Sequence, residues 1–296
     1  MNSVNYKITD TSTYALKLME SCSQAFIHSV YNKTVNICIE NELLALQCTN
    51  SPISSISLIT ELSESALSSL QLEPCIPVKL SFGSLQLGDY HFSLCDAQVH
   101  DLSLHCGADT LTLHHIYDLL NDMIHVSADH GGFELIFNHS PKVNESLMLL
   151  AAKKLMASCC SLIKRNDAKT AAQSLSGLIG LGIGLTPSGD DFLCGLLAGC
   201  QLIGTKNALD FVTVLRDLVR ANIKNTNDIS AAFLRCALGN QYSSAICMLV
   251  SSASDTAVYE AFCSIDHSSG IDTLCGIKFA FDCFYLVSYY SRPVSR

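Results

Sequence analysis

Residues 180–192, GLGIGLTPSGDDF, combine backbone freedom, hydroxyl groups and charge in one short stretch of an otherwise apolar chain. Glycine adopts backbone conformations that other residues avoid, so a glycine-rich loop can bring its N–H groups close to a ligand. Where such a loop leads into a helix, those N–H groups and the helix dipole favour a phosphate or a carboxylate. The adjacent carboxylates of Asp190 and Asp191 add acid–base chemistry. This segment is therefore the first candidate for a functional site.

The same segment predicts how a helix begins. Pro187 has the fixed φ angle of a first helical turn, and Thr186 before it can cap the helix. Asp190 and Asp191 then fall in the first turn of a helix over 190–203, where carboxylates complement the helix dipole. The glycines before them form the loop that delivers the chain to this helix N-terminus.

Two common phosphate-binding patterns do not fit the loop. A P-loop carries Lys and then Ser or Thr after its last glycine, whereas Leu185 and Thr186 follow Gly184 here. The dinucleotide-binding pattern fails because Leu185 stands where its third glycine belongs. Two carboxylates would repel a bare anion, so anion binding requires Mg²⁺, a nearby Lys or Arg, or a proton on one acid. The alternative is a tight cap with close helix packing through glycine, and the spacing favours neither.

A second segment, Thr226-Asn227-Asp228-Ile229-Ser230, leads into the apolar run AAFLRCALG. Asp228 at this position is predicted to cap a helix that ends at Gly239. Taken alone, the segment is most typical of a well-capped helix.

A third segment, residues 267–272, reads HSSGID. Ser269 as N-cap with Asp272 three positions later resembles a capping box in which Asp replaces Glu. His267 next to Ser268 does not indicate a hydrolase, because adjacent residues rarely place a base on the neighbouring hydroxyl and the G-x-S-x-G elbow is absent. A helix start is the simpler interpretation of this segment.

The composition excludes several classes of protein. A formal net charge of −9 argues against binding to DNA or RNA, and 49% hydrophobic with 15% charged residues excludes a disordered chain. The apolar window 177–204 is interrupted by TPSGDD, so no membrane span is expected. The 15 cysteines are odd in number and include no C-x-x-C pair, and MNSVNYKITD does not resemble an export signal. We therefore expect a cytoplasmic protein whose thiols mostly fill the core.

Histidine and arginine are unevenly distributed. The histidines lie almost all before residue 140, and none forms the H-x-x-x-H pair with Glu of a helical zinc site. This pattern argues against a metalloenzyme, so the sequence leaves the metal unknown, and Mg²⁺ beside the two acids is the cofactor that stays under consideration. All arginines lie from Arg165 onward, so a bidentate clamp for an oxyanion must come from the second half or from a partner chain.

The hydrophobic period changes once along the chain. The first hundred residues alternate as half-buried strands do, with candidates at 25–31, 34–40, 43–48, 54–60 and within 78–104. From Leu111 the spacing becomes helical, and we predict helices at 142–163, 168–179, 190–203, 207–223, 228–238, 241–253 and 270–290. The predicted fold class is α+β: a β-rich domain over 1–110, a connecting helix and loop over 111–140, and an all-α bundle of antiparallel helices over 141–296 that carries the glycine-rich motif.

The three segments, taken together and in this order, resemble one family. GLGIGLTPSGDDFLCG, TNDISAAFLRCALG and HSSGIDTLCGI, preceded by FIHSVYNKTVNI, are similar to the AllH family. The T-P-S-G-D-D core is the most specific part, and the likeness extends over nearly the whole chain. One departure is Ile183, where proline is expected in the family, which leaves this loop less rigid.

The resemblance implies a subunit of the oxamate carbamoyltransferase of anaerobic allantoin degradation, a step of purine catabolism. That enzyme cleaves oxalurate with phosphate to oxamate and carbamoyl phosphate, together with other subunits. All these ligands are small oxyanions, which a glycine-rich helix start suits. The S-T-R-T-R phosphate motif of ordinary transcarbamoylases is absent, so their mechanism is not transferred.

The resemblance and the segments together define candidate site residues. Asp190, Asp191 and His267 are the expected catalytic groups. The expected substrate-binding or phosphate-binding residues form two walls, the first with Gly182, Gly184, Thr186, Ser188 and Gly189, and the second with Thr226, Ser230, Ser268, Ser269, Gly270 and Asp272. Two functions remain open: a site-sharing subunit of a carbamoyl-transfer complex, or a non-catalytic anion-binding or scaffold subunit that docks partner chains.

Overall fold

The computed structural model describes residues 4–21, 24–126, 131–138, 146–251, 253–265 and 268–286. The chain divides into two compact units, Met1–Ser103 and Leu104–Arg296. The first is built on a β-sheet and the second on helices, so the predicted α+β class is confirmed. The first helix of the second unit begins at Thr110.

The first unit contains nine strands in one sheet within the described residues. They are β1 (Val4–Ser12), β2 (Gln24–Val30), β3 (Thr34–Ile39), β4 (Glu42–Gln47), β5 (Ser57–Thr60), β6 (Pro77–Ser81), β7 (Ser84–Leu87), β8 (Tyr90–Ser93) and β9 (Gln98–His100). Two short helices accompany them, α1 (Thr13–Ser21) and α2 (Glu64–Ser69). The alternation had indicated β2 to β5 and the hairpins of β6 to β8, whereas β1, α1 and α2 were not predicted.

The sheet closes on itself through its first strand. Its order is β5-β4-β3-β2-β6-β7-β8-β1-β9, and β1 pairs with β5 as well as with β8 and β9. Most neighbours are antiparallel, but β1 runs parallel to β8 and β9, and β4 runs parallel to β5. The inward side chains, such as Ile37, Leu46, Leu58 and Phe92, are buried in a core of their own.

Within the described residues, the regular elements of the second unit are all helices. Its helices are α3 (Thr110–Val126), α4 (Glu134–Phe137), α5 (Leu147–Ile163), α6 (Ala168–Leu175), α7 (Ser188–Ile203), α8 (Lys206–Asn222), α9 (Asp228–Leu238), α10 (Ser244–Met248), α11 (Asp255–Cys263) and α12 (Ser269–Ala280), and a π-helical turn follows at Phe281–Tyr285. The candidate at 241–253 was too long, since only α10 forms there, and α11 was not predicted.

Helix α3 contributes directly to the core of this unit. Its apolar positions Ile116, Leu119, Leu120, Met123 and Ile124 are buried as their helical spacing predicted.

Among the described residues, the structure contains no helix with the length and apolar character that crossing a membrane requires.

Helices α7 and α12 pack against each other through glycine. A Cβ on Gly195 would lie 1.9 Å from the carbonyl oxygen of Thr273, and one on Gly276 would lie 2.0 Å from that of Phe192. Gly199 faces the later residue Ala280 in the same way. Thr186, just before α7, contacts Ser269 at the start of α12, and Gly199 near the end of α7 lies against Ala280 near the end of α12. This pair is therefore parallel, whereas we expected antiparallel neighbours. Both N-termini lie at one end of the pair.

Candidate functional site

The glycine-rich loop that precedes α7 needs glycine at three positions. Gly180, Gly182 and Gly184 have φ angles of 74°, 141° and 94°, values that other residues rarely adopt. A Cβ on Gly180 would also lie 2.3 Å from the carbonyl oxygen of Asn225, and one on Gly182 would lie 2.6 Å from the backbone nitrogen of Ser188. The loop is thus folded tightly onto the helix start, while the space around Gly184 is open.

Asp190 connects this loop to the segment before α9. Its carboxylate accepts hydrogen bonds from the N–H of Gly180 at 2.9 Å, the hydroxyl of Thr226 at 2.5 Å and the hydroxyl of Ser230 at 2.7 Å. Only 1% of the residue is exposed. Three donors offset the cost of burying the charge. The first and second segments therefore meet at this side chain.

Asp191 lies beside the contact between the first and third segments. The hydroxyls of Thr186 and Ser269 are 2.7 Å apart and hydrogen-bonded to each other. Burial raises the pKa of Asp191 well above its usual value, and the nearby acids Asp272 and Asp190 add to this, while the two hydroxyls partly oppose it. The residue as a whole is partly exposed, but its Oδ2 atom is buried and has no hydrogen-bond partner among the described residues.

Asp272 anchors the start of α12 from within the core. Its carboxylate accepts hydrogen bonds from the N–H of Phe133 at 2.6 Å and from the hydroxyl of Ser268 at 2.9 Å. Burial raises its pKa to about 6, and the hydrogen bonds, including one from Ser188, oppose that rise. A Cβ on Gly132 would lie 2.4 Å from this carboxylate, so only glycine allows the backbone to approach so closely.

The N–H groups of the loop are available to a ligand. Among the described residues, those of Gly182, Ile183, Gly184, Leu185 and Thr186 make no hydrogen bond to the protein. The side chain of Ile183 is 92% exposed. Unpaired N–H groups in front of a helix are groups that can bind an anion.

The structure thus brings the three predicted segments together at the N-termini of α7, α9 and α12. Among the predicted residues, Gly182, Gly184 and Thr186 lie in the loop, Thr226 and Ser230 bind Asp190, and Ser268, Ser269 and Asp272 begin α12. Ser188 is buried near Asp272. His267 lies outside the described residues.

Two of the predicted glycines serve packing. A Cβ on Gly189 would lie 2.0 Å from the carbonyl oxygen of Leu178, and one on Gly270 would lie 2.0 Å from that of Phe262. These glycines let the chain pass closely in front of each helix. Their sequence positions indicated a site, whereas their contacts are with the protein itself.

The predicted helix caps require correction. Helix α7 begins at Ser188 with Pro187 in the cap position, and the Thr186 hydroxyl contacts Ser269 instead of capping. Asn227, not Asp228, caps α9 by accepting a hydrogen bond from the N–H of Ser230.

Helix α12 begins at Ser269, with Ser268 in the cap position. Asp272 therefore does not close a capping box. It accepts from the Ser268 hydroxyl and from the N–H of Phe133, far away in the sequence. Tertiary contacts thus engage the polar side chains that local capping would have used.

Sequence reasoning missed the contribution of residues 131–138. The N–H of Phe133 and the close approach of Gly132 hold Asp272, and the carboxylate of Glu134, itself 0% exposed, helps to raise the pKa of Asp272. Gly131-Gly132 was noticeable in the sequence only as a turn signal. No local pattern linked it to a residue 140 positions later.

The described residues of the candidate site form no recognisable metal-binding cluster. Across the parts of the chain that the structure describes, no group of three or more His, Cys, Asp or Glu side chains is placed to hold a metal ion. Asp190, one of the two acids considered for Mg²⁺, already accepts three hydrogen bonds from the protein.

The protein thus has a closed N-terminal sheet and a helical second unit. Its candidate small-anion site is the glycine-rich loop, where three helix N-termini meet. Two family models match the chain. Residues 178–281 match the model described as oxamate carbamoyltransferase subunit AllH, and residues 7–99 match the AllH family N-terminal domain. The chain belongs to the AllH family. Comparison with curated proteins and with solved structures finds no match.

Proposed function

We propose that this chain is a subunit of a carbamoyltransferase complex that converts oxalurate and phosphate to oxamate and carbamoyl phosphate. In this proposal the loop 182–186 and the start of α7 bind a phosphate or carboxylate group. Family membership supports the complex, since the family is described as a subunit of oxamate carbamoyltransferase. The unpaired loop N–H groups at the meeting point of three helix N-termini are the observation that supports the site.

The charge of the site is compatible with an anion. The sequence alone required a cation or a proton on one acid, and the structure supports the second alternative. The pKa of Asp191 is raised well above its usual value, chiefly by burial. A protonated acid does not repel a phosphate, and the charge of Asp190 is already stabilised by three hydrogen bonds.

Asp191 is the group we assign to contact with substrate. A protonated carboxyl group offers one O–H donor and one C=O acceptor, while a carbamoyl group offers the complementary C=O acceptor and N–H donor. The two groups can therefore pair through two parallel hydrogen bonds. The Oδ2 atom of Asp191, which lacks a protein partner within the described residues, is assigned one of the two hydrogen bonds of this pairing.

Asp190 is assigned a positioning role in the same site. Its carboxylate holds the N–H of Gly180 and the hydroxyls of Thr226 and Ser230, so it sets the shape of the loop without facing the ligand. Asp272 acts similarly on the start of α12 through Phe133 and Ser268.

The test is a comparison of single Asp→Asn variants in the complex reconstituted with its partner subunits. Asp191→Asn should assemble and melt like the unmodified protein, but should lower the rate of carbamoyl phosphate formation about 10²-fold or more, as loss of a preorganised polar group does. Asp190→Asn should instead lower the free energy of unfolding by about 2 kcal/mol or more, because an amide N–H₂ would face groups that now donate to the carboxylate.

Asp210→Asn on the exposed surface of α8 is the matched control, with the same chemical change and no expected effect on rate or stability. A near-native rate for Asp191→Asn in an intact complex would refute the assignment of Asp191 to substrate.

One observation favours the alternative scaffold function. Ile183 is 92% exposed and Leu185 is 48% exposed, so the tip of the loop presents apolar side chains that suit contact with a partner chain. Under this alternative, Ile183→Ser should weaken assembly of the complex, while Asp191→Asn should leave turnover unchanged. The two functions therefore predict opposite results for the same pair of variants.

A further inference from the structure

Two cysteines far apart in the sequence lie side by side in the helical unit. Cys160 is in the last turns of α5, and Cys283 is in the π-helical turn after α12. Their Sγ atoms are 3.5 Å apart. Cys160 is partly exposed, whereas Cys283 is buried. A disulfide needs sulfur atoms about 2.05 Å apart, so the pair is close to bonding distance without being bonded.

The surroundings make the two thiols unequal. A hydrogen bond from the Cys283 thiol lowers the pKa of Cys160, and Lys164, one turn further along the chain, adds to this against the opposing effects of burial and Asp282. The same hydrogen bond, together with burial, raises the pKa of Cys283. Cys160 is therefore the more nucleophilic and more accessible of the two, and Cys283 is its protonated neighbour.

Neighbouring cysteines lack this combination. Burial raises the pKa of Cys159 to about 12, and it raises the pKa of Cys200 further. Cys75, Cys95 and Cys106 are exposed, but among the described residues none of these three thiols lies within hydrogen-bonding distance of a second thiol, as Cys160 does.

We propose that Cys160 and Cys283 form a redox modification site, in which a peroxide oxidises the two thiols to a disulfide. The Cys160 thiolate attacks one peroxide oxygen, which breaks the O–O bond, forms a sulfenic acid and releases hydroxide. The Cys283 sulfur then attacks the Cys160 sulfur, and its proton leaves with the hydroxyl group as water. Two thiols are oxidised, and one hydrogen peroxide is reduced to two waters. This proposal does not depend on the proposed function.

The experiment treats the reduced full-length chain, freed of reductant, with about one equivalent of hydrogen peroxide per chain. Remaining thiols are then alkylated, and the products are mapped by mass spectrometry without reduction. We expect one linked pair of peptides carrying Cys160 and Cys283, with a mass lower by about 2 Da because two hydrogens are lost. Dithiothreitol should reverse the change.

Two variants test the assigned order of steps. In Cys283→Ala the sulfenic acid on Cys160 has no resolving thiol, so it should accumulate and be trapped by dimedone. In Cys160→Ser the buried Cys283 should stay reduced and become alkylated after unfolding. Cys95→Ser, which changes an exposed cysteine, is the control and should leave the linked peptides unchanged. Circular dichroism verifies that each variant is folded.

The proposal is overturned if Cys283 remains reduced in the unmodified chain while the exposed cysteines are oxidised. It is also overturned if Cys160 forms a disulfide with another cysteine, such as Cys159. Oxidation of Cys283 in the Cys160→Ser variant as readily as in the unmodified chain would overturn it too.

Discussion

At the scale of single residues, the buried acids of the helical unit dominate the behaviour of the site. Asp272 is fully buried, yet its two oxygens accept hydrogen bonds from a backbone N–H and a hydroxyl. The pKa nevertheless rises, because the cost of burying the charged form exceeds the benefit of these hydrogen bonds.

The raised pKa of Asp272 predicts a pH dependence of stability. Its value is about 6 in the folded chain, against about 3.9 in an unfolded one. Between these values the folded state binds more protons than the unfolded state, so the free energy of unfolding falls as the pH rises from about 4 to about 6. A shift of this size corresponds to a loss of about 3 kcal/mol above that window.

Asp272→Asn mimics the protonated acid. The free energy of unfolding of this variant should therefore lack the fall between pH 4 and pH 6 that Asp272 causes. Urea unfolding at several pH values from 4 to 7 gives the free energy of unfolding of both proteins, and the difference between them isolates Asp272. Asp191 also has a raised pKa, but it is present in both proteins, so its effect largely cancels. Asp210→Asn should follow the unmodified protein. Parallel curves for Asp272→Asn and the unmodified protein would contradict the prediction.

At the scale of elements, the parallel pair α7 and α12 fixes the geometry of the site. Glycines on both helices bring the backbones into contact, with Gly195 facing Thr273 and Gly276 facing Phe192. This close approach places both N-termini at the same end, and it brings Thr186 to Ser269. The third N-terminus, of α9, joins them through Asp190 and Ser230.

Gly195→Ala should separate these helices. The new Cβ would lie 1.9 Å from a backbone carbonyl oxygen, and a backbone atom cannot rotate away as a flexible side chain can. We expect the free energy of unfolding to fall by about 1–3 kcal/mol or more, as overpacking does, measured by urea denaturation. Gly239→Ala, whose Cβ would meet its nearest neighbour at an ordinary 3.4 Å, is the control. Equal stabilities for the two variants would show that α12 shifts without cost.

At the scale of the whole molecule, the two units have separate hydrophobic cores. The first core is enclosed by the sheet, with Ile8 of β1 and Leu58 of β5 among its buried residues. The second is formed by the helices from α3 onward. The pairing of β1 with β5 completes the sheet within Met1–Ser103, so its closure requires no residue of the second unit.

We therefore predict that residues 1–103 fold when expressed alone. The fragment should show a β-type circular dichroism spectrum and a cooperative thermal transition, because its sheet closure and core are internal to it. As a control, the fragment 13–103, which lacks β1, should be unfolded because β5 and β8 lose a neighbouring strand. A disordered spectrum for residues 1–103 would contradict the prediction.

The sequence by itself determined the α+β class, the main strands and helices, and the three segments of the candidate site. Hydrophobic periodicity indicates which side chains of a strand or helix are buried, as at Ile37 in β3 or Leu119 in α3. Glycine indicates that the backbone approaches another group closely or adopts an unusual φ angle. Both are local properties, so they can be recognised in the sequence. Short or exposed elements such as α1, α2 and α11 lack a strong pattern and were missed.

Only the tertiary structure decided what the polar side chains of those segments do. Thr186, Asp190 and Asp272 were predicted as helix-start residues, but their partners are Ser269, Ser230 and Phe133, which lie 40 or more positions away. The parallel direction of α7 and α12 and the contact of Cys160 with Cys283 are equally long-range. Such contacts depend on how whole helices pack, and packing is set by the shapes of many surfaces together rather than by any spacing along the chain.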